Sequence, residues 1–187
     1  EHNPCSRRHN SVPPLKPDEL VCPGTSLSGP DSCWHWFTQL WAEQKEWLAQ
    51  KLERSHAEWQ IIVTHYPPTF EPCRSEAWEA FFPRYGVDLY VSGHTHLQQL
   101  AYRDPVFGDT AYIISGGGGG ITSEGLPDKG GQDDQYGFMD LIINKDHIQV
   151  IQYSHGGTEG ALVVRNRTTI SPRPRSQEAG DAQELVF

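Results

Sequence analysis

Residues 59–64, WQIIVT, and residues 87–92, VDLYVS, decide the fold, because each is a short apolar run that ends abruptly. His65-Tyr66-Pro67-Pro68 stops the first run, and Gly93-His94-Thr95-His96 stops the second. The first run is typical of a strand buried on both faces. Because a segment with helical character precedes each run, the order predicts a right-handed parallel unit in an α/β sheet.

Two helices are predicted beside these strands. Residues 75–82 fit a short helix that Pro83 and Gly86 would end. An amphipathic helix of about twenty residues from Cys33 is predicted by apolar side chains that recur at helical spacings: Trp34, Phe37, Leu40, Trp41, Leu48 and Leu52.

The second half of the chain loses the helical pattern and is predicted to form strands. The strands cover residues 97–103, 110–115, 138–143 and 147–153. Asn144-Lys145-Asp146 is a good turn between the last two, which predicts an antiparallel hairpin.

The chain is divided into three parts by composition. Residues 1–32 are an irregular Pro- and Cys-rich segment, residues 33–165 hold the predicted helices and strands, and residues 166–187 are expected to be a flexible tail. The 187 residues are enough for one compact domain.

Charge and hydropathy exclude several classes of protein. The formal net charge is -9, from 15 Lys and Arg against 24 Asp and Glu, whereas a protein that binds a nucleic acid backbone needs a basic face. Hydrophobic residues make up 36%, too many for wholesale disorder. No apolar run is long enough to span a membrane, so no membrane span is expected.

The cysteines and one sequon favour an oxidising compartment. Cys5, Cys22 and Cys33 lie in or next to the irregular segment, and Cys22–Cys33 is the most plausible disulfide. Asn166-Arg167-Thr168 fits the N-glycosylation pattern. We therefore expect a secreted or secretory-pathway glycoprotein.

Three histidines follow the two decisive strands. Ligands of open α/β sheets bind at the carboxyl ends of the strands, which is where His65, His94 and His96 are expected. In an extended segment, residues two apart have Cβ atoms roughly 7 Å apart on the same side. Two metal ions about 3.5–4 Å apart suit that spacing better than one ion does. A single zinc ion held by all three imidazoles remains an alternative.

The other histidines have ordinary explanations. His155 closes a strand and is assigned a structural role. Surface or loop positions are assigned to the rest: His2, His9, His35, His56 and His147.

The motif pair of residues 64–68 and 93–96 resembles the C-terminal motifs of the calcineurin-like metallophosphoesterases. The Trp-rich helix before it and the Gly-rich segment after it resemble the purple acid phosphatase branch, over about residues 33–157. The resemblance implies that His65 and His94 bind a second metal ion and that His96 binds the first. It implies two ions, iron with zinc, manganese or another iron, and a metal-bound hydroxide that attacks the phosphorus of a phosphoester substrate. The implied fold is the C-terminal half of a four-layer α/β/β/α sandwich.

Part of the family's pattern is missing from this sequence. The N-terminal Asp-containing block and the Gly-Asn-His block are absent, and no Asn-His dipeptide occurs. Residues 108–112, GDTAY, match the letters of the bridging-Asp block but follow the histidine motifs, so we interpret them as coincidence. Three neutral imidazoles without a bridging carboxylate would leave two cations uncompensated.

We therefore expect a phosphoester hydrolase whose missing N-terminal portion completes the site, and an inactive isolated chain. The alternative is a non-catalytic relative that uses the fold as a binding or scaffold module. Residues 116–120, GGGGG, are interpreted as backbone that passes close to the site rather than as a phosphate cradle, because little helical signal follows them.

Overall fold

The computed structural model describes residues 30–70, 77–117, 129–130, 134–156 and 161–173. Residues 1–29 of the segment predicted to be irregular, the predicted Cys22–Cys33 disulfide and residues 174–187 of the predicted tail lie outside the described residues. The chain divides into two compact units, residues 1–51 and 52–187.

In the first unit the structure describes helix α1, Pro30–Glu53, which ends two residues into the second unit. The helix confirms the prediction and begins three residues before Cys33. Trp36, Trp41 and Trp47 are exposed along it. No helix among the described residues is both long enough and apolar enough to cross a membrane.

The second unit contains a four-stranded sheet that carries the two decisive runs. Its strands are β1 (Ile61–Val63), β2 (Leu89–Ser92), β3 (Gln98–Ala101) and β4 (Ala111–Ser115), in the order β1-β2-β4-β3. β2 pairs in parallel with both β1 and β4, whereas β3 is antiparallel to β4. The parallel unit predicted from the sequence is therefore confirmed.

Strand β1 is not buried on both faces, which corrects the prediction. Ile62 is buried, but the side chain of Val63 is 73% exposed. The reason is position, since β1 lies at the edge of this sheet. An uninterrupted apolar run therefore does not by itself identify a central strand.

Helix α2, Ala77–Tyr85, packs aromatic side chains on one face of this sheet. The rings of Trp78 and Phe82 contact that of Tyr90 on β2. Pro83 does not end the helix as predicted, because it lies in the last turn, where its missing N–H removes a single bond. The helix ends at Gly86, whose φ of 63° closes a Schellman motif: Val87 N–H donates to the Phe82 carbonyl and Gly86 N–H to Pro83.

A second, antiparallel sheet follows. It consists of β5 (Gly137–Ile143), β6 (Ile148–Ser154) and β7 (Val163–Ile170), in that order. The β5–β6 hairpin is confirmed. The Asn144 side-chain oxygen accepts hydrogen bonds from the N–H groups of Asp146 and His147, which fixes the turn.

The prediction of a flexible tail from residue 166 is wrong for residues 166–170, which belong to β7. This strand pairs with β6 along its length, with one bulge, and Ile170 is fully buried opposite Ile148. The strand was not recognised in its sequence, VVRNRTTI, because polar side chains on the solvent side replace the apolar residues typical of a strand. Asn166 of the sequon is exposed there; glycosylation and secretion stay predictions.

The core lies between the two sheets. Leu89, Ala111 and Ile113 of the first sheet form one buried cluster with the second sheet's Ile148, Val150 and Ile170. Because side chains alternate along a strand, Tyr90 and Tyr112 point to the other face of the first sheet, where Phe82 and Phe107 meet them. Helix α2, the first sheet and the second sheet are thus stacked in three layers, which agree with three layers of the predicted four-layer α/β/β/α sandwich.

A buried carboxylate fixes the amino ends of the parallel strands. Asp88, fully buried just before β2, accepts hydrogen bonds from the N–H of Gln60 (2.7 Å) and the N–H of Arg173 (2.8 Å). Arg173 Nη1 also donates to Thr110 Oγ1 at 2.6 Å. One side chain therefore joins the entries of β1 and β2 to the segment that follows β7.

Replacing Asp88 with Asn should lower the free energy of unfolding by about 1–3 kcal/mol. Asn has one acceptor oxygen where Asp88 has two, so its NH2 group would face one of the two buried N–H groups and leave it without an acceptor. Urea unfolding measures the loss. Asp109→Asn is the matched control, since Asp109 is exposed and should change stability by less than about 0.5 kcal/mol. Equal effects of the two substitutions would contradict the assigned role of Asp88.

Candidate metal centre

The turns that carry His65 and His94 lie side by side at the carboxyl edge of the first sheet. Thr64 N–H donates to the Val91 carbonyl, and Gly93 N–H donates to the His65 carbonyl at 3.1 Å. These bonds continue the parallel β1–β2 ladder beyond the last strand residues. The two histidine turns are therefore held in register by backbone pairing.

The side chains of His65 and His94 meet directly. His94 Nδ1 lies 3.2 Å from His65 Nε2, and the two ring centroids are 5.1 Å apart at 74°. Two nitrogens bound to one tetrahedral ion at 2.0–2.1 Å would be about 3.3 Å apart. The pair therefore fits two ligands of one ion; without an ion, one ring can donate to the other.

His96 lies in the same turn as His94 but does not complete a three-residue group with the pair. Within the parts of the chain that the structure describes, no three His, Cys, Asp or Glu side chains form a group that could hold a metal ion. One zinc ion held by three histidines is thus not seen among these residues. The assignment of His65, His94 and His96 to two ions stays a prediction.

The turn from Gly93 to Leu97 is unusually tight. Thr95 N–H donates to the Gly93 carbonyl and Leu97 N–H to the Thr95 carbonyl, both at 2.8 Å, so two three-residue turns follow each other. Each turn has a histidine at its centre. His94 adopts a φ of 64°, a left-handed conformation that is strained for a side chain with a Cβ.

Gly116 and Gly117 pass against this turn and its surroundings. A Cβ on Gly116 would lie 1.8 Å from the Thr95 carbonyl oxygen, and a Cβ on Gly117 would lie 2.4 Å from that of Gln135. The close approach to the site that was predicted for residues 116–120 is confirmed at Gly116, whereas Gly117 approaches Gln135 instead. Residues 118–120 lie outside the described residues.

The hydroxyl groups at the Tyr66 carbonyl and the aromatic rings beside His94 were not predicted from the sequence. The Tyr66 carbonyl accepts hydrogen bonds from Thr64 Oγ1 (2.8 Å) and the Tyr90 hydroxyl (3.0 Å). The rings of Tyr66 and Phe70 stack 4.9 Å apart beside His94. The one feature of the sequence that could have indicated this stacking is that Tyr66 and Phe70 lie on either side of Pro67-Pro68.

Residues 108–112 lie away from the histidine pair, which agrees with their interpretation as coincidence. Asp109 is exposed before the amino end of β4, whereas the histidines follow the carboxyl ends of the strands parallel to it. Burial, and then the charge of Asp104, raise the pKa of Tyr112. Its hydroxyl accepts a hydrogen bond from Gln99 Nε2 at 3.3 Å.

The remaining histidines agree in part with their ordinary explanations. His35 and His56 are exposed, and His147 lies by the β5–β6 turn against the Asn144 side chain. His155 follows β6 and its ring packs edge-on against Tyr136. His2 and His9 lie outside the described residues.

A family model described as calcineurin-like phosphoesterase matches residues 11–98, a region that contains all three candidate histidines. The acid phosphatase of Aspergillus ficuum is 36% identical over an alignment of 84 residues that covers 39% of this chain and 14% of that protein. Purple acid phosphatase 15 of Arabidopsis thaliana is 31% identical over an alignment of 96 residues that covers 42% of this chain and 18% of that protein. The matches thus span less than a fifth of these relatives.

The fold has a solved counterpart. The purple acid phosphatase PPD1 from yellow lupin (Lupinus luteus) seeds aligns with 74% of this chain and 32% of its own, at a TM-score of 0.53 and 19% identity. The family-model match and the two relatives confirm the resemblance of this chain to the calcineurin-like phosphoesterases, and both relatives are acid phosphatases. The lupin structure supports the fold alone.

Gly116→Ala should cost more than about 2 kcal/mol of unfolding free energy, because the new methyl group overlaps the Thr95 carbonyl and the backbone must move. The His94 and His96 imidazole resonances should shift with it in NMR spectra. Gly108→Ala is the control: Gly108 has a φ of 59° but nothing within 4 Å of its added Cβ. Gly108→Ala should therefore lower the free energy of unfolding by about 1 kcal/mol, the cost of a left-handed backbone for a residue with a Cβ. Similar costs at both glycines would refute the close approach.

His94→Gly should be more stable than His94→Ala by about 1 kcal/mol in urea unfolding, because both remove the imidazole but only glycine tolerates the left-handed backbone. The same pair of substitutions at His65, which is not among the residues with positive φ, should show the opposite order. An alanine variant at position 94 that equals the glycine variant would mean that the backbone there is not strained.

Proposed function

We propose that this chain supplies part of the active site of a metal-dependent phosphoester hydrolase of the acid phosphatase kind. The observation that carries the proposal is the 3.2 Å approach of His94 Nδ1 to His65 Nε2 at the carboxyl ends of two parallel strands. That pair lies inside residues 11–98, the region that the calcineurin-like phosphoesterase family model matches.

The donor set suits the proposed metal ions. Neutral imidazole nitrogens bind zinc, iron and manganese, and His65 and His94 together would hold one ion while His96 would contribute to another. When bound, two such cations supply the positive charge that holds phosphate oxygens and stabilises the transition state. The identity of the ions, iron with zinc, manganese or iron, is part of the proposal.

The protein's own residues would orient these ligands. The hydrogen bonds of Thr64 and Tyr90 to the Tyr66 carbonyl fix the backbone that follows His65. Gly116, packed on Thr95, keeps His94 and His96 on one tight turn. A ligand that is already in place before the ion arrives loses less conformational entropy on binding, so such contacts raise affinity.

Further ligands would come from outside the three histidines. Imidazoles are neutral ligands, and carboxylates are needed to balance two adjacent cations. We propose that another portion of the same protein supplies them and completes the site. The substrate would be a phosphoester; its leaving group is not specified by the histidine turns.

Metal content and turnover of p-nitrophenyl phosphate by the native full-length protein test the proposal. The protein should contain tightly bound metal and hydrolyse the ester, and removal of the metal by a chelator should abolish turnover. His94→Ala should lower kcat/KM by more than about 100-fold, since even partners that only orient a ligand can cost up to that much.

His56→Ala is the matched control, because His56 is exposed and precedes the amino end of β1, whereas both histidine turns follow carboxyl ends of strands. It should leave metal content and turnover unchanged. A native protein with neither metal nor turnover would contradict the proposal and favour the non-catalytic binding or scaffold module.

A further inference from the structure

The imidazole of His94 is packed by an aromatic pair formed by Tyr66 and Phe70. Its centroid lies 4.6 Å from the Tyr66 ring at 58° and 4.5 Å from the Phe70 ring at 70°. The Tyr66 and Phe70 rings stack on each other at 4.9 Å and 14°. His94 therefore meets two parallel rings at steep angles, the arrangement that aromatic quadrupoles favour.

We propose that Tyr66 and Phe70 are positioning residues, whose stacked rings hold the His94 imidazole in the orientation that turns Nδ1 toward His65. The part of this proposal that concerns metal affinity rests on the proposed function. The part that concerns the orientation of the ring does not require any metal.

The aromatic pair is itself firmly attached to the fold. Pro67 and Pro68, between its two members, are fully buried. Phe70 N–H donates to the Pro67 carbonyl at 3.0 Å, which closes a turn and brings Phe70 back over Tyr66. Because the Tyr66 carbonyl is also held by Thr64 and Tyr90, the pair can restrain a neighbouring side chain without moving.

The His94 side chain needs such a restraint because its backbone restricts its rotamers only weakly. It lies at the centre of a tight turn with a φ of 64°, outside any strand or helix. No regular structure therefore limits its side-chain rotamers, and a half-exposed imidazole in a turn would sample several. The ring contacts with Tyr66 and Phe70, together with His65, restrict that sampling.

Phe70→Leu in the metal-free full-length protein tests the orientation. In the wild type, the imidazole protons of His94 should be displaced by the ring currents of the two aromatic neighbours. In Phe70→Leu, His94 should lose more than half of that displacement, with broader lines from rotamer exchange. Phe70→Tyr should keep it, because the ring is retained.

Zinc affinity provides the second readout, measured by calorimetry with zinc chloride on the same proteins. Phe70→Leu should raise the dissociation constant about tenfold, as loss of an orienting partner does at other metal sites, and Phe70→Tyr should restore it. Phe138→Leu is the matched control, since Phe138 stacks on Tyr153 on the second sheet and should alter neither readout.

The outcomes separate the two proposals. A wild type that binds none of zinc, iron and manganese would refute the proposed function, while the NMR comparison would still decide the orientation of His94. Unchanged His94 resonances in Phe70→Leu would overturn the positioning role whatever the metal result. Should Phe70→Leu not fold, Tyr66→Leu takes its place, because it removes the other ring and keeps the backbone carbonyl that Thr64 and Tyr90 contact.

Discussion

Parallel pairing of β1 with β2 is the constraint on which the site depends. Once Ile61, Ile62 and Val63 are in register with Leu89, Tyr90 and Val91, the residues that follow each strand must leave the sheet at the same edge. The bond from Gly93 N–H to the His65 carbonyl extends that register beyond the strands. Backbone hydrogen bonding therefore brings the two histidine turns side by side, and the orientation of the imidazoles is left to side-chain contacts.

The two ends of β2 differ in structure: the amino end is rigid, and the carboxyl end carries the candidate site. At its amino end, Asp88 is fully buried and its oxygens accept backbone N–H groups, so this end is made of satisfied, rigid contacts. At its carboxyl end, the chain turns sharply through a strained His94 and leaves partly exposed imidazoles. Strain of this kind persists only where the surroundings over-determine it, and Gly116 and the Tyr66–Phe70 pair are those surroundings.

The histidine pair could be predicted because it follows from order along the chain. An apolar run, a stop, a helix, a second run and a second stop suffice to bring His65 and His94 to one edge of a sheet. The hairpin was predicted for a similar reason, since Asn144 marks a local turn. Features that depend on which strands pair with which were missed: β7 is a strand because it pairs with β6, and β1 is an edge strand because of its position in the strand order.

The contacts that orient the site belong to the second group, and their chemistry explains why no motif revealed them. Tyr66 and Phe70 act through ring contacts, and Gly116 acts by having no side chain; neither leaves a recognisable ligand pattern. The family resemblance identifies atoms that can bind a metal, but the stacked rings and the glycine determine how freely those atoms move. In this protein the candidate ligands can therefore be predicted from the sequence, whereas their orientation depends on the packing around one turn.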